Sequence, residues 1–216
     1  MILDFNQLAP SQRYFAMVQT IIPRPIAWVL TDNGDASEHR PSTLNLAPFS
    51  FFTGICSDPP LLMISVGKKT TGEQAGQAKD TRRNILERKH FVVHIASTAQ
   101  LAAVNASSAP LAHGDSELAR SNLATQAFED FPLPRLSDCT VAFACTLYRF
   151  DEIGNVPQAV IYGKIERLFI DDALLEAHES RLIVSAEKLD PLARLGGNDY
   201  SGLGFSSQFM RIERPK

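Results

Sequence analysis

The six residues Lys79-Asp80-Thr81-Arg82-Arg83-Asn84 open a stretch that reads as a helix. Asp80 can accept from the amides of the first turn, as an N-cap does. Thr81 then sits on that turn with a free hydroxyl, and Lys79 lies just before it. Backbone donors, the positive end of the helix dipole, a lysine and a threonine together suit an anion such as a phosphate. Asp80 would repel that anion unless it turned away into its own cap. An ordinary capped surface helix with a solvated lysine is the plainer alternative, and these residues alone leave both open.

The stretch STLNLAPFSFF, Ser42 to Phe52, poses a second chemical question. Strand residues alternate faces. One face shows Thr43, Asn45, Ala47, Phe49 and Phe51, and the other Ser42, Leu44, Leu46, Pro48, Ser50 and Phe52. Leu44 and Leu46 suit a core, whereas Thr43, Asn45 and Ala47 make a shallow polar face. Pro48 lacks an N–H, which predicts a break or bulge in the ladder and unpaired backbone groups beside it. A planar heterocycle with donors and acceptors on its edge could pair with them. Asn45 can both donate and accept, and Ala47 leaves room for a flat ring. An edge strand whose proline only blocks aggregation reads the same letters equally well.

A third cluster, PLARLGGNDY, combines Arg194, Gly196, Gly197 and Tyr200. Arginine offers a rigid charged fork for phosphate or carboxylate, and the glycines allow close backbone approach. A C-terminal loop packed on its own subunit is the alternative. Elsewhere the chemistry is thin. His90 and His94 would share a strand face about 13 Å apart, too far for one metal, so structural roles are expected. His113 and His178 stand alone, and Trp28 sits in an apolar strand and is read as core. Ser50 and Ser65 have no partner spacing that singles out a triad. GLGFSS follows no clear strand and opens no clear helix, so it is a poor dinucleotide fingerprint.

These residues need elements to hold them. APSQRYFAMVQT reads as a short helix with Ser11 as N-cap, and PRPIAWVLT (Pro23 to Thr31) as a strand, since prolines stop the helix and IAWVL favours β structure. DNGD is a hairpin turn signal at Asn33-Gly34, which makes Ser42 to Phe52 the return strand. LLMISV and FVVHIA are short apolar strands, with DTRRNILERK a helix between them. Residues 97–136 carry no strong β signal. TVAFACTLYRF and AVIYGKIERLFI are long β runs, and DDALLEAH reads as a helix. The pattern predicts a mainly β chain with an antiparallel sheet, closed or partly closed because closure removes edges, and peripheral short helices.

The length, 216 residues, fits one domain over residues 1–216, and 44% apolar residues allow a substantial core. A formal charge of −3 with no basic stripe argues against a nucleic-acid surface. No apolar run is long enough to span a bilayer, and the start MILDFNQLAP lacks the signature of a signal peptide. Cys56, Cys139 and Cys145 are an odd count; on one strand the last two would lie about 20 Å apart, beyond bridging distance. A reducing cytoplasm is expected, with no metal site.

Taken in order, PRPIAWV, NLAPFSFF, DPP, KDT..NI, FVVHIA and PLARLGG..Y resemble the flavin reductase-like, FMN-binding split-barrel proteins, the group that includes flavoredoxin. The resemblance runs from about Tyr14 to Gly204. It implies a six-stranded antiparallel split β-barrel, a homodimer, and FMN in a groove at or near the subunit interface. By motif, Thr43, Asn45, Leu46, Ala47 and Ser50 would line the ring and ribityl chain, Lys79 and Thr81 would hold the phosphate, and Arg194 and Tyr200 would assist, with action across the dimer one way to do so. Two positions depart from the pattern: His94 stands where Asn is frequent, and Leu30 where a small hydroxyl residue is common. The implied activity is that of an NAD(P)H-dependent flavin reductase or FMN oxidoreductase, with NADH or NADPH as a transient donor in the same groove and no indispensable acid–base residue. The alternatives are an FMN-holding electron carrier serving a protein acceptor, or a flavin-binding protein without turnover.

Overall fold

Proline at the first helical position and a glutamine reaching back start helix α1 (Pro10–Thr20), where the Ala9 N–H donates to Gln12 Oε1 at 2.8 Å. Ser11 therefore lies inside the first turn and is not the expected cap. The computed structural model describes residues 1–34, 43–69, 75–112, 115–155, 158–204 and 206. Ser42, His113, Phe205 and the 70–74 part of the polar loop lie outside them.

Next along the chain come β1 (Arg24–Pro25), β2 (Ala27–Asp32), β3 (Leu44–Phe49), β4 (Phe52–Ser57), β5 (Pro60–Val66), α2 (Asp80–Arg88) and β6 (His90–Ile95). The middle holds short helices α3 (Leu101–Ala106) and α4 (Glu117–Ser121) and a two-residue pair, β7 (Thr125–Gln126) with β8 (Arg135–Leu136). The long strands β9 (Val141–Ile153) and β10 (Gln158–Ile170) follow. The rest comprises β11 (Leu175–Glu176), β12 (Ile183–Val184), α5 (Ala186–Leu189), β13 (Ala193–Arg194) and β14 (Tyr200–Ser201).

Seven strands, not the expected six, form one antiparallel sheet in the order β3-β2-β6-β9-β10-β5-β4. The additional strand is β4, paired with β5 across a tight turn in which Ser57 faces Pro60. The outermost strands, β3 and β4, are consecutive in the chain and joined by Ser50 and Phe51 alone. Two opposite edges can be so joined only if the sheet curls round on itself. At this link Phe51 C=O accepts from the Ser65 N–H at 2.9 Å, which carries the β4–β5 pairing up to the turn. The result is a split barrel, closed by the chain rather than by a ladder.

Strand alternation then sorts the core into two. Ala27, Val29, Phe91 and Val93 face the interior with Phe49, Ile64, Ile85 and Ile161. Trp28, Leu30, Leu44, Leu46 and Val92 face outward into a second cluster with Val104, Leu118 and Leu136 from the 101–136 segment. Trp28 is wholly buried there and its indole N–H donates to Ser107 Oγ at 2.8 Å, so its role is in the core. His94 also lies on this face, with no solvent exposure. Its Nε2 accepts from the Leu136 N–H at 2.9 Å, so Nδ1 carries the proton and donates to Trp28 C=O at 3.0 Å. Leu30, the other departure from the family pattern, points into the same cluster.

Pro48 does not break the ladder. Pairing runs without a shift from Asp32↔Leu44 through Trp28↔Pro48 to Ala27↔Phe49. The Leu46 N–H points away from β2, as shown by its bond to Glu117, and two residues on Pro48 shares that phase. Its missing N–H falls on the open side of an edge strand, where nothing is lost. The hairpin between β2 and β3 is also longer than a two-residue turn: Asn33 N–H meets Thr43 C=O at 2.9 Å, and Gly34, not Asn33, adopts positive φ. Finally, the expected helix at 171–178 is a single 3-10 turn, Asp172–Leu174, that leads into β11.

Candidate functional site

β3 supplies one wall of the site and the start of α2 the other. The expected cap at Asp80 is corrected: the N-cap residue is Lys79, with no side chain capping the helix, and Asp80 is the first helical residue. Two cations draw its carboxylate aside, Lys69 at 3.1 Å and Arg83 at 3.3 Å. The repulsion that Asp80 would exert on an anion is thereby balanced within the protein. Among the described residues no side chain caps α2, which leaves first-turn amides such as those of Thr81 and Arg82 for a ligand or water.

Thr81 is 1% exposed, and its hydroxyl is not free: it accepts from Asn45 Nδ2 at 3.0 Å. The second Nδ2 hydrogen of Asn45 goes to Thr31 Oγ1 at 3.2 Å, and the same oxygen accepts from Asn84 Nδ2 at 3.0 Å. Strand β3, strand β2 and helix α2 are thus tied by one buried polar network. Asn45 cannot both donate and accept toward a ligand, since its two donors are taken up and only Oδ1 remains.

Lys79 is half-buried, with its ammonium 5.4 Å from the centre of the Phe49 ring. Burial lowers its pKa. Among the described residues it has no carboxylate partner. A partly desolvated cation without a counter-ion, beside uncapped helix amides, is a cradle for an anion.

Three adjoining cavities meet at Lys79. The first, about 150 Å³, is lined by Asn45, Ala47, Thr81, Lys69 and Glu117 as well as Lys79. The second, about 710 Å³, runs along Pro48, Phe49 and Ser50 toward Ser65 on β5. The third, about 540 Å³, reaches Tyr14, Arg24, Arg194 and Tyr200. Of the sequence-derived candidates, Asn45, Ala47, Lys79 and Thr81 come together in the first. Ser50 lies on the second and third, and Arg194 and Tyr200 lie on the third. Leu46 turns its side chain into the outer core and its amide to Glu117. Thr43 sits just before β3 and lines none of the three.

Sequence reasoning missed Glu117, which is 7% exposed. Its Oε2 accepts from the Leu46 N–H at 2.9 Å, while Ser116 Oγ donates to Leu44 C=O, so the start of α4 covers the outer edge of β3. Burial pushes the Glu117 carboxyl up to about 6; the Leu46 amide opposes this, Asp80 adds to it and Arg120 counters it. Arg24 was missed too. It is buried and donates to Ser50 Oγ and to the carbonyls of Val18, Ile21 and Leu195. That pins α1 and the C-terminal hairpin to the turn after β3.

A family model described as "Flavin reductase like domain" matches residues 18–192. The uncharacterized protein YwrF of Bacillus subtilis (strain 168) is 34% identical over 207 residues, 94% of this chain and 95% of that protein. Component B of nitrilotriacetate monooxygenase from Bacillus cereus superposes with a TM-score of 0.84 at 29% identity, over 97% of this chain and 98% of the other. The 2-nitrobenzoate 2-nitroreductase NbaA of Pseudomonas fluorescens gives 0.82 at 24% identity over 98% and 96%, a likeness of fold. Barrel topology and a match along most of the length agree: this chain belongs to the flavin reductase-like domain family.

Proposed function

We propose that the chain holds FMN in this groove and passes a hydride or electrons from NADH or NADPH through it to an acceptor. The observation that carries the reading is Lys79: a half-buried ammonium with no carboxylate partner among the described residues, at the uncapped start of α2. Lys79 and the first-turn amides would hold the phosphate, with Thr81 fixing the turn through Asn45. Asn45 Oδ1 offers an acceptor to a hydroxyl or ring N–H. Ala47 leaves space for a planar ring, and Phe49 and Ser50 extend the wall beyond it. Bound flavin supplies the hydride and electron chemistry itself. The chain's own task is to bind, orient and exclude water, and no side chain is assigned as an obligatory acid or base. His94 is sealed in the outer core and exchanges no proton with the groove.

Exposed Tyr14, Phe15, Met17, Ile21 and Ile22 along and after α1, beside the third cavity, support a homodimer with the groove near its interface. Three free thiols support work in a reducing, cytoplasmic setting.

The test is Lys79→Ala, read by quenching of flavin fluorescence. FMN should bind about tenfold or more weakly, the loss of one charge-assisted contact. Riboflavin, which lacks the phosphate, should bind nearly as before. Unchanged FMN affinity in the variant defeats the assignment. Anaerobic addition of NADH or NADPH then separates the roles: rapid bleaching of the flavin marks a reductase, and bleaching only by dithionite or a partner protein marks a carrier.

A further inference from the structure

The third cavity shares Lys79 and the β3 wall with the first and adds α1, β1 and the β13–β14 hairpin around the turn after β3. Its lining carries three cations, Arg24, Lys79 and Arg194, and no aspartate or glutamate among the described residues. In a chain of formal charge −3 this is a concentration of one sign with no protein carboxylate to neutralise it.

Each arginine has a distinct part. Arg24 is 6% exposed and all its acceptors are neutral, one hydroxyl and three carbonyls. Its pKa is lowered first by burial, raised by Tyr14, and lowered by the like charge of Arg194. Arg24 therefore fixes the floor and contributes field. Arg194 donates to Gly197 C=O and lies over Tyr200, 4.4 Å from the ring centre. Its other N–H groups meet no acceptor among the described residues. Contact with the Tyr200 ring fixes the orientation of the planar fork and presents it as a preformed receptor for paired oxygens.

We propose that this cavity is the anion subsite for the second reactant, with Arg194 as the residue that reads it. The ligand chemistry is a pyrophosphate or carboxylate carried on a compound with a planar ring. With Lys79 given to the flavin phosphate, Arg24 and Arg194 remain, and two cations match the two charges of a pyrophosphate better than a single carboxylate; the volume suits a small molecule. That this reactant is the second one rests on the flavin reading above; the anion subsite itself does not. Arg194 and Tyr200 are thereby assigned away from the FMN, to which the family resemblance had linked them.

The test is calorimetric titration of the full chain, with and without FMN, using ADP-ribose as the pyrophosphate probe and benzoate as the carboxylate probe. The proteins are wild type, Arg194→Gln and Arg194→Lys, each checked for an unaltered thermal melt. ADP-ribose should bind wild type, weaken about tenfold or more in Arg194→Gln, and recover partly in Arg194→Lys, which keeps charge but not the fork. Binding of ADP-ribose assigns the site to a dinucleotide donor, and binding of benzoate alone assigns it to an organic acid. The proposal is overturned if neither probe binds at millimolar concentration, if Arg194→Gln binds as wild type does, or if that variant loses FMN affinity and not probe affinity. A wild-type chain that binds no FMN sinks the flavin reading, while titration of the flavin-free chain still reads the anion subsite.

Discussion

Glu117 and His94 titrate in opposite senses as the chain folds. Burial lowers the His94 pKa from 6.5 to about 4, opposed by the bond to Trp28 C=O. Its stabilising contribution is complete above 6.5 and is lost as pH falls toward 4, on the order of 3 kcal/mol in all. Burial raises Glu117 from 4.5 to about 6, so its contribution is complete below 4.5 and is lost as pH rises through 6, on the order of 2 kcal/mol. Between pH 4.5 and 6 the two oppose each other. Glu117→Gln keeps a carbonyl to accept the Leu46 N–H and removes the titration. Urea unfolding of that variant should show stability climbing more steeply with pH across this window than in wild type. Equal slopes would mean that Glu117 titrates normally. The contrast with Lys79 shows what the letters carry. A lysine and threonine at a helix start suggest an anion from local features alone, beside amides that every helix start exposes. Ser116-Glu117 would read the same on any solvated helix, and only the docking of α4 on the edge of β3 buries it.

At the scale of elements, β5, β6, β9, β10 and α2 were legible because apolar runs, and for α2 its helix-favouring letters, declare them within a few positions. β4, FTGICS, was not: it is mostly exposed, pairs on one side only, and shows no alternation to read. Pro48 was read correctly as a residue that cannot donate and wrongly as a break, because the phase of an edge strand is a property of the sheet. The segment 171–178 has helical letters, yet Asp171 caps a single turn, its Oδ1 accepting from the Ala173 N–H at 2.9 Å, and Leu174 is buried before the chain turns into β11. Close packing between strands gives a direct test. A Cβ on Gly163 of β10 would lie 2.3 Å from the Phe91 ring of β6, inside the barrel, where Phe91 has no exposure. Gly163→Ala should cost about 1–3 kcal/mol of stability. Phe91→Leu in the same background should return part of it, as read by thermal melting. An unchanged melt would show that the interior gives way more easily than its packing suggests.

Over the whole molecule, antiparallel β architecture follows from long β runs and turn signals, whereas the curl does not. It arises because β3 and β4 are neighbours in sequence and opposite rims of the sheet, and no local pattern states which strands will be outermost. The exposed apolar residues of α1 lead to a test at this scale. Phe15→Glu should shift the mass measured by light scattering from dimer toward monomer, since a buried charge opposes association. A wild-type chain that is monomeric throughout a dilution series would remove the dimer from the reading. The link at Ser50 and Phe51 has a mechanical consequence. Every ladder pair would survive a cut at that point, yet the rims would be free to drift apart. The second cavity touches Pro48 and Phe49 of β3, the link itself, and Ser65 of β5, the strand that carries β4. Whatever lodges there grips β3 and β5 at once and acts as a rivet across the link, so an occupied barrel is a stiffer one.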